Sequence, residues 1–341
     1  VTFTFAAHCS MGEYSGIGFL IFCCFGVFFS YLYYGIVQEK LTKTKYGLEK
    51  EPFTYFCSML LFQCVINSIF SLVALRITRE TRGLAPERSF AKCGFTYVGA
   101  MLSSNMSLKF VSYPVQVISK SVKPIPVMCF NAVFAKRRYN ILEYFFVIMI
   151  CCGVVMFLYD RNKDIPTSNA AFGWGELLLI TSLCLDGLTG STQESLSVYS
   201  IGPYTMMLHM NLWSILYLLS AIVLTGEFKI FLLFVSKHPE VLSTLFLFGL
   251  SSAVGQVFLF TLITNFGSLT CAVVTTTRKF FTVLASAILF KHVITTRQWA
   301  GVVLVFSGIL LNQLFAKKKR VSTLDKSSLM EVTSNSTKKH L

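Results

Sequence analysis

Negative charge is scarce in this chain. Asp and Glu number 16 against 30 Lys and Arg, and charged residues of both signs make up 13% of the sequence. Soluble domains carry about a quarter, so a surface wetted on all sides is excluded. Metal-binding material is thin as well. The 5 histidines are scattered and no Cys-x-x-Cys spacing occurs among the 11 cysteines, which excludes the common zinc and dithiol motifs. Most cysteines sit in apolar runs, where a thiol behaves as a small apolar side chain. Intramembrane aspartyl proteolysis needs two aspartates within spans, and Asp186 stands alone there. The chain therefore reads as a non-enzyme with no cofactor and no metal.

What is abundant is apolar. Hydrophobic residues make up 54% of the chain and the mean hydropathy is +0.64. Scanning for runs long enough to span a bilayer predicts an all-α polytopic membrane protein with spans near Phe19–Val37, Phe53–Leu75, Phe90–Leu108, Pro114–Phe134, Ile141–Tyr159, Gly173–Leu196, Thr205–Thr225, Val241–Ile263, Leu269–Phe290 and Gln298–Phe315. Short connectors leave no room for a separate soluble domain. Basic clusters, Lys136-Arg137-Arg138 after the fourth span and Lys317-Lys318-Lys319-Arg320 after the tenth, favour the cytoplasmic side. An even number of spans then puts both termini in the cytosol, although Lys40, Lys43, Lys45 and Lys50 in the first loop run against the bias. These clusters indicate topology and contact with anionic lipid, not nucleic acid.

The chain ends Ser336-Thr-Lys-Lys-His-Leu341. Lys338 and Lys339 stand where a dilysine signal lets coat proteins retrieve a membrane protein to the endoplasmic reticulum, which requires a cytosolic tail. The chain also reads as written twice. Gly35, Gln38 and Glu39 match Gly190, Gln193 and Glu194, and at nearly the same offset Gly99 matches Gly255, Phe110 Phe266, Ser112 Ser268, Lys123 Lys279 and Phe134 Phe290. Five spans per copy is an odd number, so the second copy enters the membrane inverted. The expected organisation is residues 1–18 as a cytosolic segment, 19–160 and 161–316 as two five-helix repeats, and 317–341 as the basic tail. Inverted repeats are the mark of alternating-access transporters with substrate held at the repeat interface.

Lys120 and Lys123 lie inside the fourth span, spaced to share one helix face, and Arg278 and Lys279 lie mid-span in the ninth. A basic residue at the bilayer centre costs roughly 2.5–3.5 kcal/mol, so these side chains are expected to point inward. The internal acids are few: Glu39, Glu143, Glu176, Asp186 and Glu194. Glu143 and Glu176 fall near span ends, while Glu39 and Glu194 close their helices, within reach of a central cavity but not placed to cancel four cations. The site thus keeps excess positive charge and is expected to take a multiply charged anion, for which phosphate suits Lys and Arg. The competing reading is a network of internal ion pairs that orients helices. Pro124 and Pro126 break the helix just past the lysines, either to line a cavity or as a packing kink.

Weaker features complete the reading. Tyr33, Tyr34, Tyr97 and Tyr113 can stack on a nucleobase or serve at interfaces and in packing. His209 reads as a helix-contact histidine. The sequons at Asn105 and Asn335 lie inside a span and on the cytosolic tail, where neither is modified.

The segments YYGIVQEKL, YPVQVISKSVKPIPVM, LDGLTG, NLWS and TTTRKFFT resemble the nucleotide-sugar transporters of the drug/metabolite transporter superfamily, in particular the endoplasmic-reticulum branch called UDP-galactose-transporter-related. The likeness runs along essentially the whole chain. It implies ten helices in two inverted five-helix repeats, and phosphate-binding cations at Lys120 and Lys123 with Arg278 and Lys279 opposite. It also implies that Glu39 tunes the cavity. Gln38, Gln193, Glu194 and Tyr113 are further cavity candidates. The implied cargo is a phosphorylated nucleotide: cytosolic ATP exchanged for luminal ADP, or alternatively UDP-galactose or UDP-glucose.

Overall fold

The computed structural model describes residues 13–47, 50–80, 85–107, 110–111, 113–158, 173–289 and 295–311. It is almost entirely helical. In chain order the elements are α1 (Glu13–Lys43), β1 (Lys45–Tyr46), β2 (Glu51–Pro52), α2 (Phe56–Thr78), α3 (Glu87–Ser107), α4 (Tyr113–Ser121), α5 (Pro124–Val133), α6 (Ile141–Leu158), α7 (Trp174–Ser197), α8 (Pro203–Thr225), α9 (Glu227–Lys237), α10 (Glu240–Phe266) and α11 (Ser268–Leu289), followed by α12 (Thr296–Leu311). Among the described residues, four helices are long and apolar enough to cross a membrane: Gly18–Thr42, Phe56–Thr78, Pro203–Thr225 and Glu240–Phe266. Large apolar side chains on them, such as Phe22, Phe25, Phe29, Ile69 and Phe246, face outward, as lipid allows and water would not.

Two features differ from the sequence reading. The connector after α1 forms a two-stranded antiparallel hairpin, with Tyr46 opposite Glu51, and a short helix, α9, stands between α8 and α10. They belong together. Phe234 of α9 is buried against Tyr46, Phe53 and Tyr55, so the loops at this end carry their own aromatic core. Gly226, at φ +68°, closes α8 in the left-handed conformation and lets the chain turn into α9, a conformation glycine adopts without a Cβ penalty.

The fourth apolar stretch is not one helix. The regular helix stops at Ser121 and restarts at Pro124, and the junction at Val122 and Lys123 is bridged by tighter bonds, Val122 N–H to the Ser119 carbonyl at 3.1 Å and Ile125 N–H to the Val122 carbonyl at 3.0 Å. Pro124 and Pro126 have no N–H to give to the preceding turn, and that suffices to part α4 from α5. Elsewhere α3 runs along α7, α2 along α8 and α1 along α10. Small residues bring neighbours close. A Cβ on Gly187 of α7 would lie 2.5 Å from Phe130 Cδ2 and 3.0 Å from the Pro126 carbonyl oxygen, and one on Gly190 would lie 3.1 Å from Val127. The α5–α7 contact therefore exists because the sequence Asp186-Gly-Leu-Thr-Gly190 has no side chain there.

Candidate functional site

That contact sets the lysine pair against α7. Lys120, in the last turn of α4, donates to Ser182 Oγ at 2.5 Å and to Asp186 Oδ2 at 2.6 Å. Lys123, at the break, donates to Asp186 Oδ1 at 3.0 Å. Ser182 and Asp186 are one turn apart on α7 and so present the same face. Ser182 Oγ passes its own hydrogen to the Ala100 carbonyl of α3 at 2.6 Å. The side chains of Lys120, Lys123 and Asp186 are 16%, 35% and 13% exposed, so this is an interior ion triad with its lysine edge the more open.

Arg278 and Lys279 come from α11. The Arg278 guanidinium lies 5.4 Å from the ring centroid of Tyr31 on α1, a cation–π arrangement. Lys279, half-buried, has no hydrogen bond or ion pair to any described residue, yet lies within electrostatic reach of Arg278, Lys120, Lys123 and Asp186. The four expected cations are thus brought to one region of the bundle, with Asp186 among them. The sequence reading is corrected on one point. It counted Asp186 among the internal acids without placing it, whereas Asp186 engages both lysines, because Gly187 and Gly190 let α7 approach α5 closely enough. The paired spacings were the available signal: Lys120 and Lys123 at i and i+3, Ser182 and Asp186 at i and i+4. Tyr31 and Ser182 also escaped that reading.

The remaining candidates lie elsewhere. Glu194 is 5% exposed and sits eight residues beyond Asp186, about 12 Å along α7. It accepts from the Ser268 backbone N–H at 2.7 Å, capping α11, and pairs with Arg137 Nη2 at 2.8 Å. Gly267, at φ +87°, makes the turn that brings the start of α11 to this carboxylate. Asn131 of α5 ties in the same corner, donating to Ser268 Oγ at 2.9 Å and to Tyr139 Oη at 3.1 Å. Burial pushes the Tyr139 phenol up to about 12, so it stays neutral. Gln193 donates to Met210 Sδ at 3.4 Å. Glu39 is exposed and Gln38 half-buried, both near the end of α1. Tyr113 opens α4, but its side chain, like Lys338 and Lys339, lies outside the described residues. His209 is a contact histidine, 3.0 Å from Glu87 and stacked on Phe90. Tyr34 and Tyr97 bond to Gln63 and Gln256.

Apolar helices wrapped around an interior cluster of cations define a membrane carrier for an anion. The comparison with known sequences agrees. The UAA transporter family model matches residues 19–316, and the chain belongs to that family of nucleotide-sugar transporters in the drug/metabolite transporter superfamily. It is 46% identical over 302 residues to solute carrier family 35 member B1 of Gallus gallus, covering 86% of this chain and 92% of that relative. It is 42% identical to the Xenopus tropicalis member over 312 residues, covering 89% and 95%. The Drosophila melanogaster homolog is 42% identical, with 88% and 91% covered. A solved crystal structure superposes with a TM-score of 0.63 at 10% identity, covering 87% of this chain and 97% of its own. That likeness concerns the fold alone.

Proposed function

We propose that this chain is a nucleotide antiporter of the endoplasmic reticulum membrane, importing cytosolic ATP in exchange for luminal ADP by alternating access. The observation that carries the reading is the convergence of Lys120, Lys123, Arg278 and Lys279 on one region of an apolar bundle, where Asp186 bridges the first two. That leaves a positive excess suited to a phosphate chain. An anion neutralises the excess, so the loaded carrier reorients more readily than the empty one, which favours exchange over one-way transport.

The packing supports ten spans in two inverted repeats over residues 19–160 and 161–316. If α1 and α7 open the two copies, then α3 lying along α7 has its counterpart in α10 lying along α1. Both termini are cytosolic in this arrangement, and Lys338 and Lys339 then meet coat proteins.

Asp186 also supports a second reading. It offsets part of the lysine charge, which suits a less charged cargo such as UDP-galactose or UDP-glucose. Uptake into proteoliposomes loaded with ADP, with labelled ATP or labelled UDP-galactose outside, decides between them. ATP uptake that disappears when internal ADP is omitted supports the exchanger. Uptake of UDP-galactose with ATP ignored overturns it.

A further inference from the structure

Both oxygens of the Asp186 carboxylate are occupied, one by each lysine, at 2.6 and 3.0 Å. A carboxylate bridging two ammonium groups occupies the place that two oxygens of a phosphate would take. We infer that Asp186 is an internal stand-in for the cargo. It holds Lys120 and Lys123 while the site is empty, gives them up to an entering phosphoryl group, and recaptures them as that group leaves. The inference rests on the phosphate-carrier reading above and concerns how that same site binds and releases.

Three observations favour a competitor over a fixed scaffold. Lys279 has no described partner and stands within electrostatic reach of the triad, so an arriving anion has a cation to meet before it needs the lysine pair. Lys123 is the more exposed lysine and sits at the junction between α4 and α5, where its carbonyl accepts from the Val127 N–H at a long 3.3 Å. Lys120 keeps Ser182 as a neutral acceptor at 2.5 Å, so it stays oriented when the carboxylate lets go. Two anions sharing one lysine pair repel each other. Asp186 therefore weakens cargo binding and speeds release, acting as a positioning residue through the lysines.

The test is Asp186→Asn in the full chain, reconstituted and assayed for nucleotide exchange, with ligand-dependent thermal stabilisation of the purified protein read in parallel. The expected result is an apparent KM about tenfold lower with a reduced maximal rate, because binding tightens while release slows. A KM that is unchanged or raised overturns the inference, since a purely structural carboxylate would not tighten binding when removed. If Asp186→Asn does not fold, Lys123→Gln/Asp186→Asn is compared with Lys123→Gln. Tighter binding in the double variant, where Lys120 is freed, supports the inference, and equal or weaker binding overturns it. Pyrophosphate as the probe separates the two readings. If ATP and UDP-galactose leave the wild type unaffected but pyrophosphate protects Asp186→Asn at lower concentration than wild type, the counter-ion role stands and the nucleotide reading falls.

Discussion

Lys120→Ala and Lys279→Ala remove the same charge from the same region, yet the structure separates their consequences. Lys120 is bonded to Ser182 and Asp186. Its loss leaves the carboxylate with Lys123 alone, 3.0 Å away. Removing one partner of a buried pair costs roughly 3–5 kcal/mol, and because Asp186 keeps its second lysine the loss here belongs near the lower end. Lys279 has no described partner. An unpaired lysine in the membrane interior carries a penalty of roughly 2.5–3.5 kcal/mol, which the alanine removes. The melting midpoint of purified Lys279→Ala should therefore equal or exceed that of wild type, while Lys120→Ala melts lower. Exchange should fall in both. A charge-assisted contact to phosphate contributes about 1.5–3 kcal/mol, which is roughly a ten- to hundredfold loss of exchange at limiting nucleotide. Near-wild-type exchange by Lys279→Ala, or a melt as low as that of Lys120→Ala, would refute the reasoning, because it would mean that Lys279 faces structure and not cargo.

Two further outcomes follow from the packing. Glu194→Ala removes the cap on the Ser268 N–H and the partner of Arg137; a cap alone contributes about 1 kcal/mol, so thermal unfolding should show a loss of that order, with Glu194→Gln milder because the amide oxygen still accepts from Ser268. Gly187→Leu drives a side chain into Phe130 and the Pro126 carbonyl; overpacking costs roughly 1–3 kcal/mol, and by pushing α5 off α7 it should abolish nucleotide-dependent stabilisation in a melting assay even in protein that remains folded.

Much of the architecture was legible because lipid imposes a blunt rule: long apolar runs become helices. The fourth stretch was legible in finer detail, since a missing N–H at Pro124 and Pro126 announces a break wherever those residues sit in a span. The location of the cations was readable from cost alone, as no lysine stands mid-membrane without company or cargo. Their company was not. Asp186 lies 63 residues from Lys123 along the chain, and only the approach of α7 to α5, permitted by Gly187 and Gly190, turns that distance into contact. Glu194 illustrates the opposite limit. Its match to Glu39 suggested a cavity residue; its partners, Arg137 and the Ser268 N–H after the turn at Gly267, are ones that no pattern of polarity reveals. The hairpin and α9 were missed because their core is a local aromatic cluster too short to register as periodicity.

The interruption between α4 and α5 has a mechanical consequence. The two walls that present the basic side chains differ in compliance: α11 is an unbroken rod from Ser268 to Leu289, whereas Lys123 rides on a joint between two short segments. Bending concentrates where the regular i→i+4 ladder is interrupted, as it is at Val122 and Lys123, so most of the give in this region belongs to one wall. An anion seated between them presses a yielding surface against a stiff one. On the proposed function, its binding free energy would be coupled to the angle between α4 and α5, and that angle would be the coordinate along which this bundle tells an occupied interior from a vacant one.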